Sequence, residues 1–120
     1  MINQKLAQEF ARDWIDSWNS HDLERILSHY SDDFQLTSPF IALFGGEASG
    51  VLKRKEKVAQ YWKNALEKMP DLKFELIDVL YSVNSLVIYY RAVLGKKGAE
   101  VFFFGDDGKA IASIAHYDEL

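Results

Sequence analysis

Ile2, Leu6, Phe10, Trp14 and Trp18 recur every fourth residue, with Ala7, Ala11 and Ile15 beside them. That spacing lays one wide apolar stripe along a helix of about four or five turns. Asn19-Ser20 interrupts it, and Asp22 is placed to cap a second helix through about Tyr30 that turns Leu23, Ile26 and Leu27 inward. Phe34 and Leu36 then alternate with polar residues, which predicts a short strand over Phe34–Ser38, stopped by Pro39. Pro39–Val51, with Gly45, Gly46 and Gly50, reads as a loop, a flexible lid over whatever lies beneath. A third helix, about Arg54–Lys68, turns Val58, Tyr61, Trp62, Ala65 and Leu66 inward, and Met69-Pro70 ends it.

The second half has the period of strands. Leu72, Phe74 and Leu76 alternate with Lys73 and Glu75, and the apolar phase then switches to Ile77, Val79 and Tyr81. A phase switch inside a strand marks a bulge or bend, which also ejects Asp78 to solvent. Leu86–Leu94 is nearly all apolar, so both of its faces are expected to be covered. Gly95–Gly98 turns into Glu100–Phe104, Asp106–Lys109 is a second turn, and Ile111–Tyr117 closes the sheet. Three helices followed by consecutive antiparallel strands predict an α+β fold with helices on one face of a bent sheet and a pocket between.

Composition narrows the partners. The 120 residues suit one domain, 1–120, and 48% apolar residues are ample for its core. A net charge of −4, with a single basic cluster at Lys53, Arg54, Lys55 and Lys57, argues against a nucleic-acid partner. The chain has no cysteine, no apolar run long enough to enter a membrane and no secretory h-region near Met1. Its last residues, Tyr117-Asp118-Glu119-Leu120, look like an endoplasmic retention tail, but without a leader they read as a plain end. The expectation is a cytoplasmic protein.

Several short stretches resemble one family. Trp14-Ile15, His21-Asp22-Leu23-Glu24, Tyr30-Ser31-Asp32-Asp33-Phe34 and Ser38-Pro39-Phe40 are similar to the opening of SnoaL-like and ketosteroid-isomerase-like proteins of the nuclear transport factor 2 superfamily. Phe104-(x)3-Gly108-Lys109 with Ala115-His116-Tyr117 resembles the closing hairpin. The resemblance implies a cone of strongly bent, mostly antiparallel sheet packed by three N-terminal helices around an apolar pocket, and a homodimer through the sheet's outer face. It does not imply a reaction, because the fold hosts isomerases, cyclases, dehydratases and binders. In the resembled isomerases the base precedes the Pro-Phe pair, where this chain has Ser38, a hydroxyl far too weak for that task alone. An oxyanion-hole tyrosine falls at Trp14, supporting tyrosines at Tyr30 and Trp62, and the second oxyanion-hole acid at Glu100.

The candidates are therefore few. Glu100 shares strand parity with Phe102 and Phe104, so it is either an acid in apolar surroundings or an edge glutamate paired with Lys96 or Lys97. Tyr117 shares parity with Ser113 and Ala115 and either reaches the pocket or caps the core. His116 points the other way unless a bulge reverses it. Glu100, Tyr117 and His116 are the catalytic candidates; Trp14, Tyr30, Ser38, Trp62, Phe102 and Ser113 are the ligand-binding candidates. His21, His29, Asp32 and Asp33 read as solvated. No metal or cofactor is expected, since the three histidines show no ligand spacing. Gly45-(x)4-Gly50 fails as a phosphate loop because Val51-Leu52 replace its Lys and Ser/Thr, and Ser49 lacks the glycines of a nucleophile elbow. Three readings stay open: acid/base chemistry on a small hydrophobic molecule, binding of such a molecule without catalysis, and a protein-interaction module.

Overall fold

The computed structural model describes residues 1–120. In chain order it holds α1 (Gln4–Ser20), α2 (Leu23–Leu27), β1 (Tyr30–Thr37), α3 (Pro39–Phe44), β2 (Val51–Lys53), α4 (Lys55–Lys68), β3 (Glu75–Tyr81), β4 (Ser85–Arg91), β5 (Lys97–Phe104) and β6 (Ala110–Tyr117). The strands form one sheet in the order β2-β1-β6-β5-β4-β3. Only β1 and β6 run parallel. Register shifts at Tyr30/Gln35, Leu76/Asp78 and Phe103/Phe104 sharpen the twist and curl the sheet around the helices. This is the expected α+β cone, with the expected bulge in β3.

Asn3 starts α1 by accepting the Leu6 amide at 2.9 Å. The helix buries Ala7, Ala11, Trp14, Ile15 and Trp18. Leu6, though part of the sequence stripe, is exposed. At 3.6 residues per turn each four-residue step advances by roughly 40°, so Leu6 has drifted about 80° from Trp14 and off the buried face. The helix ends on His21 in the left-handed region (φ 60°), whose Nε2 lies 2.8 Å from the Leu72 carbonyl oxygen. Asn19 adds a two-way clamp, donating to the Phe74 carbonyl at 2.9 Å and accepting the Phe74 amide at 2.7 Å. These bonds pin the end of α1 to the segment leading into β3.

Five expectations change. The second helix stops at Leu27, and Tyr30 opens β1 instead of ending a helix. The expected lid loop holds a helix and a short strand: Ser38 Oγ accepts the Phe40 amide at 3.2 Å, and Pro39 fills the first helical position, so this stretch starts α3. The helix expected as the third is therefore the fourth, α4. β4 ends at Arg91, with Leu86, Ile88 and Tyr90 buried and Val87 and Tyr89 half-buried, so the chain itself covers only one of its faces. His29 is not solvated: its Nε2 faces Asp13 at 2.6 Å and its Nδ1 the Ile26 carbonyl at 3.0 Å.

Candidate functional site

Alternation along β5 sends Gly98, Glu100, Phe102 and Phe104 to the concave side of the sheet. Opposite them the inward positions of β6 carry small residues, Ser113 and Ala115, then Tyr117. Short side chains on the sheet and bulky ones on the helices leave a cavity of about 90 Å³ between the layers. Trp14 and Trp18 of α1, Tyr61 and Trp62 of α4, Ser38, Phe40, Phe74, Tyr90, Ala115 and Tyr117 contribute to its wall, and Glu100 is its only carboxylate. The space holds several water-sized groups, enough for a small organic fragment.

Gly98 explains how the polar groups meet. A Cβ there would lie 2.9 Å from Tyr90 Cζ and 3.0 Å from its Cε1, so the tyrosine ring occupies the space a side chain would take. Laid across β5 in this way, the Tyr90 hydroxyl donates to Glu100 Oε1 at 3.2 Å. Tyr117, which pairs across Gly98 from Tyr90, brings its hydroxyl to the same cluster near Ser38. Phe40 packs on the Tyr117 ring, with centroids 4.4 Å apart, and holds it there. The result is a strip of hydroxyls and one carboxyl in an aromatic cavity.

The electrostatics follow from burial. Glu100 is 5% exposed, and loss of water pushes its carboxyl up to about 7, although the hydroxyls of Tyr90 and Ser113 favour the ionised form. No lysine or arginine contributes to holding it down. Ser113 Oγ itself is buried with no partner at ordinary hydrogen-bond distance, so its effect on Glu100 is that of a nearby dipole. Burial and the Glu100 charge raise Tyr61 to about 12 and raise Tyr90 and Tyr117 as well, so all three stay protonated donors near neutral pH.

The sequence candidates separate into two groups. Trp14, Ser38, Trp62, Glu100 and Tyr117 line the cavity together. Tyr30, Phe102 and Ser113 stand behind its wall: all three are buried, and Tyr30 accepts a hydrogen bond from Trp14 Nε1 at 2.8 Å. His116 is exposed on the convex side, its Nδ1 3.2 Å from the Ala99 carbonyl oxygen, and takes no part in the cavity. The sequence reading missed Tyr61 and Tyr90. The available signal was Gly98, an inward-facing glycine inside a strand, which marks a close approach by another group. No group of three or more His, Cys, Asp or Glu side chains is arranged to hold a metal ion, and no helix is long and apolar enough to cross a membrane.

A curled six-stranded sheet packed by helices is the nuclear transport factor 2-like cone fold. The SnoaL-like domain model matches residues 11–116. The chain belongs to the SnoaL-like family. A SnoaL-like protein of unknown function from Burkholderia thailandensis E264 is 50% identical, with a TM-score of 0.94 over 97% of this chain and 97% of that one. More distant structures share the fold alone. An NTF2-like protein of unknown function from Cytophaga hutchinsonii is 12% identical, with a TM-score of 0.72 over 98% of this chain and 95% of that one. A proposed isomerase of the SnoaL-like family from Agrobacterium tumefaciens is 16% identical, with a TM-score of 0.74 over 93% and 97%. No curated protein matches the chain.

Proposed function

We propose that this protein binds a small, mostly apolar molecule bearing a carbonyl or hydroxyl group and moves a proton on it through Glu100. One observation carries the reading: the only carboxyl in the aromatic cavity has its pKa raised to about 7. A group that titrates near the working pH is populated both as acid and as base, which is what general acid–base catalysis asks of it. Tyr61 and Tyr117, held protonated, supply donors to an oxygen that gains negative charge as the proton leaves carbon. Ser38 contributes a hydrogen bond at the wall and no base. The apolar lining selects the body of the ligand, and its small volume selects a single ring or a short chain.

The test is proton exchange. The protein is incubated in deuterated buffer with a panel of small cyclic ketones, and deuterium at the carbon beside the carbonyl is counted by mass spectrometry. Exchange above the buffer rate, with an apparent pKa near 7 in the wild type and abolished in Glu100→Gln, supports the reading. Binding without exchange throughout the panel supports instead a non-catalytic carrier, a reading favoured by the serine at the position where the resembled isomerases keep their base.

We also propose that the functional unit is a homodimer. Val87 pairs with Val101, and Val101 with Ile114, so the convex face of the sheet carries an apolar row that the helices leave uncovered. Phe103 (39% exposed) and Leu80 (57% exposed) extend it. A second copy is the partner that would bury this face.

A further inference from the structure

The inner cavity opens outward. Phe40, Tyr61, Ala65, Met69 and Val93 line both it and a wider groove of about 560 Å³. The groove's far wall is one face of α4, where Lys57, Gln60, Asn64 and Lys68 follow at helical spacing beside Tyr61 and Ala65. Lys96 stands across from them. A protein with more acidic than basic residues thus places three lysines, and no Asp or Glu, in the lining of the groove that leads to its cavity.

The three lysines are not equivalent. Lys96 already faces Glu119 at 3.6 Å. Lys57 and Lys68 make no ion pair within 4 Å, and the solvent-exposed Glu47 feels the charge of Lys57. Gln60 Nε2 donates to Asn64 Oδ1 at 3.1 Å, which leaves the Gln60 carbonyl and the Asn64 amide free for another partner. The polarity therefore runs in one direction: neutral and aromatic inside, ending at Glu100, and cationic with spare amide groups outside.

We propose that the occupant is an elongated amphipathic carboxylic acid, its apolar part and the carbonyl or hydroxyl group of the reading above in the cavity beside Glu100, and its carboxylate in the outer groove on one of Lys57 and Lys68, which the helix sets about 16 Å apart. The inference rests on the ligand-binding reading above and adds the charge and the orientation of the ligand. The reverse orientation would bring a second carboxylate to Glu100 in an aromatic cavity lined by no cation, where two like charges are disfavoured.

The test displaces an uncharged apolar fluorescent dye bound to the full chain with decanoate or with its methyl ester. Decanoate is expected to compete about five-fold better than the ester, as one exposed charge contact allows. The preference should shrink in 0.5 M salt and vanish in the surface double variant Lys57→Gln/Lys68→Gln, with the ester unaffected. Equal competition on the wild type, or a preference that survives the double variant, overturns the proposal. Ala65→Phe, which narrows the passage shared by groove and cavity, reports on the parent reading separately. If it leaves ester binding unchanged, the cavity is not the binding site. If it weakens the ester while the lysines prove irrelevant, only the anionic end is wrong.

Discussion

Replacing Glu100 by glutamine isolates the energetic cost of keeping a carboxyl in an apolar cavity. The amide matches the neutral acid in size but cannot ionise. In the folded chain Glu100 titrates at about 7, against 4.5 for the unperturbed residue. Below 4.5 the proton is bound in both states. Between the two values the folded state keeps the proton and the unfolded chain releases it, so raising the pH favours unfolding. Above 7 both are ionised and the loss is complete. A gap of about 2.5 pH units, at roughly 1.4 kcal/mol per unit, amounts to about 3 kcal/mol. Wild type and Glu100→Gln are unfolded in urea from pH 4 to pH 8.5 at fixed protein concentration. The buried Trp14, Trp18 and Trp62 provide the fluorescence signal. The wild-type stability, with that of the variant subtracted, should fall by about 3 kcal/mol between pH 4.5 and 7 and stay level beyond. A flat difference curve, or one that rises with pH, would refute the claim that burial controls this carboxyl.

Three further substitutions test the parts around it. Gly98→Ala drives a methyl into the Tyr90 ring, which approaches to 2.9 Å; the variant should lose about 1–3 kcal/mol in urea unfolding, and carbon NMR should find Glu100 titrating above its wild-type value because the Tyr90 donor has moved. Unchanged titration would mean that Tyr90 does not act on the acid. Tyr30→Phe removes the acceptor of the buried Trp14 N–H and should cost about 1–3 kcal/mol while leaving dye affinity intact, since Tyr30 lies behind the cavity wall; a several-fold loss of dye affinity would contradict this placement. Val101→Lys puts a charge in the middle of the convex apolar row and should convert a dimer to a monomer by light scattering at micromolar concentration, whereas a wild type that is already monomeric would dispose of the dimer.

Where one face of an element is buried, its period can be read directly. Glu100 was located by sharing parity with Phe102 and Phe104, and His116 was assigned to the far side by the same rule. The misreadings come from places where local signals compete. Gly45, Gly46 and Gly50 made the stretch after Pro39 look like loop, yet α3 forms ahead of them because Ser38 and Pro39 are a capping pair. Tyr30 follows helix-like spacing from Ile26, but its hydroxyl is taken by Trp14 from α1, and that contact belongs to the tertiary structure. Tyr61 and Tyr90 escaped notice for the same reason: an aromatic residue at an inward position looks like core in the sequence. Only the space left by Gly98 and Ala115 turns its hydroxyl into part of a site.

Ser38 and Glu100 together show how this chain can keep the fold and change the chemistry. The residue before Pro39 caps α3, a requirement that serine and aspartate meet equally well, so the helix does not dictate which of the two stands there. What remains is an acid placed by strand alternation on the floor of the cavity, with tyrosine hydroxyls for company and no cation. That environment decides its role. Below pH 7 Glu100 is mostly a neutral hydrogen-bond donor, and above it mostly a carboxylate. Under the proposed function this one side chain takes the part of base or of oxyanion partner, with Ser38 only completing the wall.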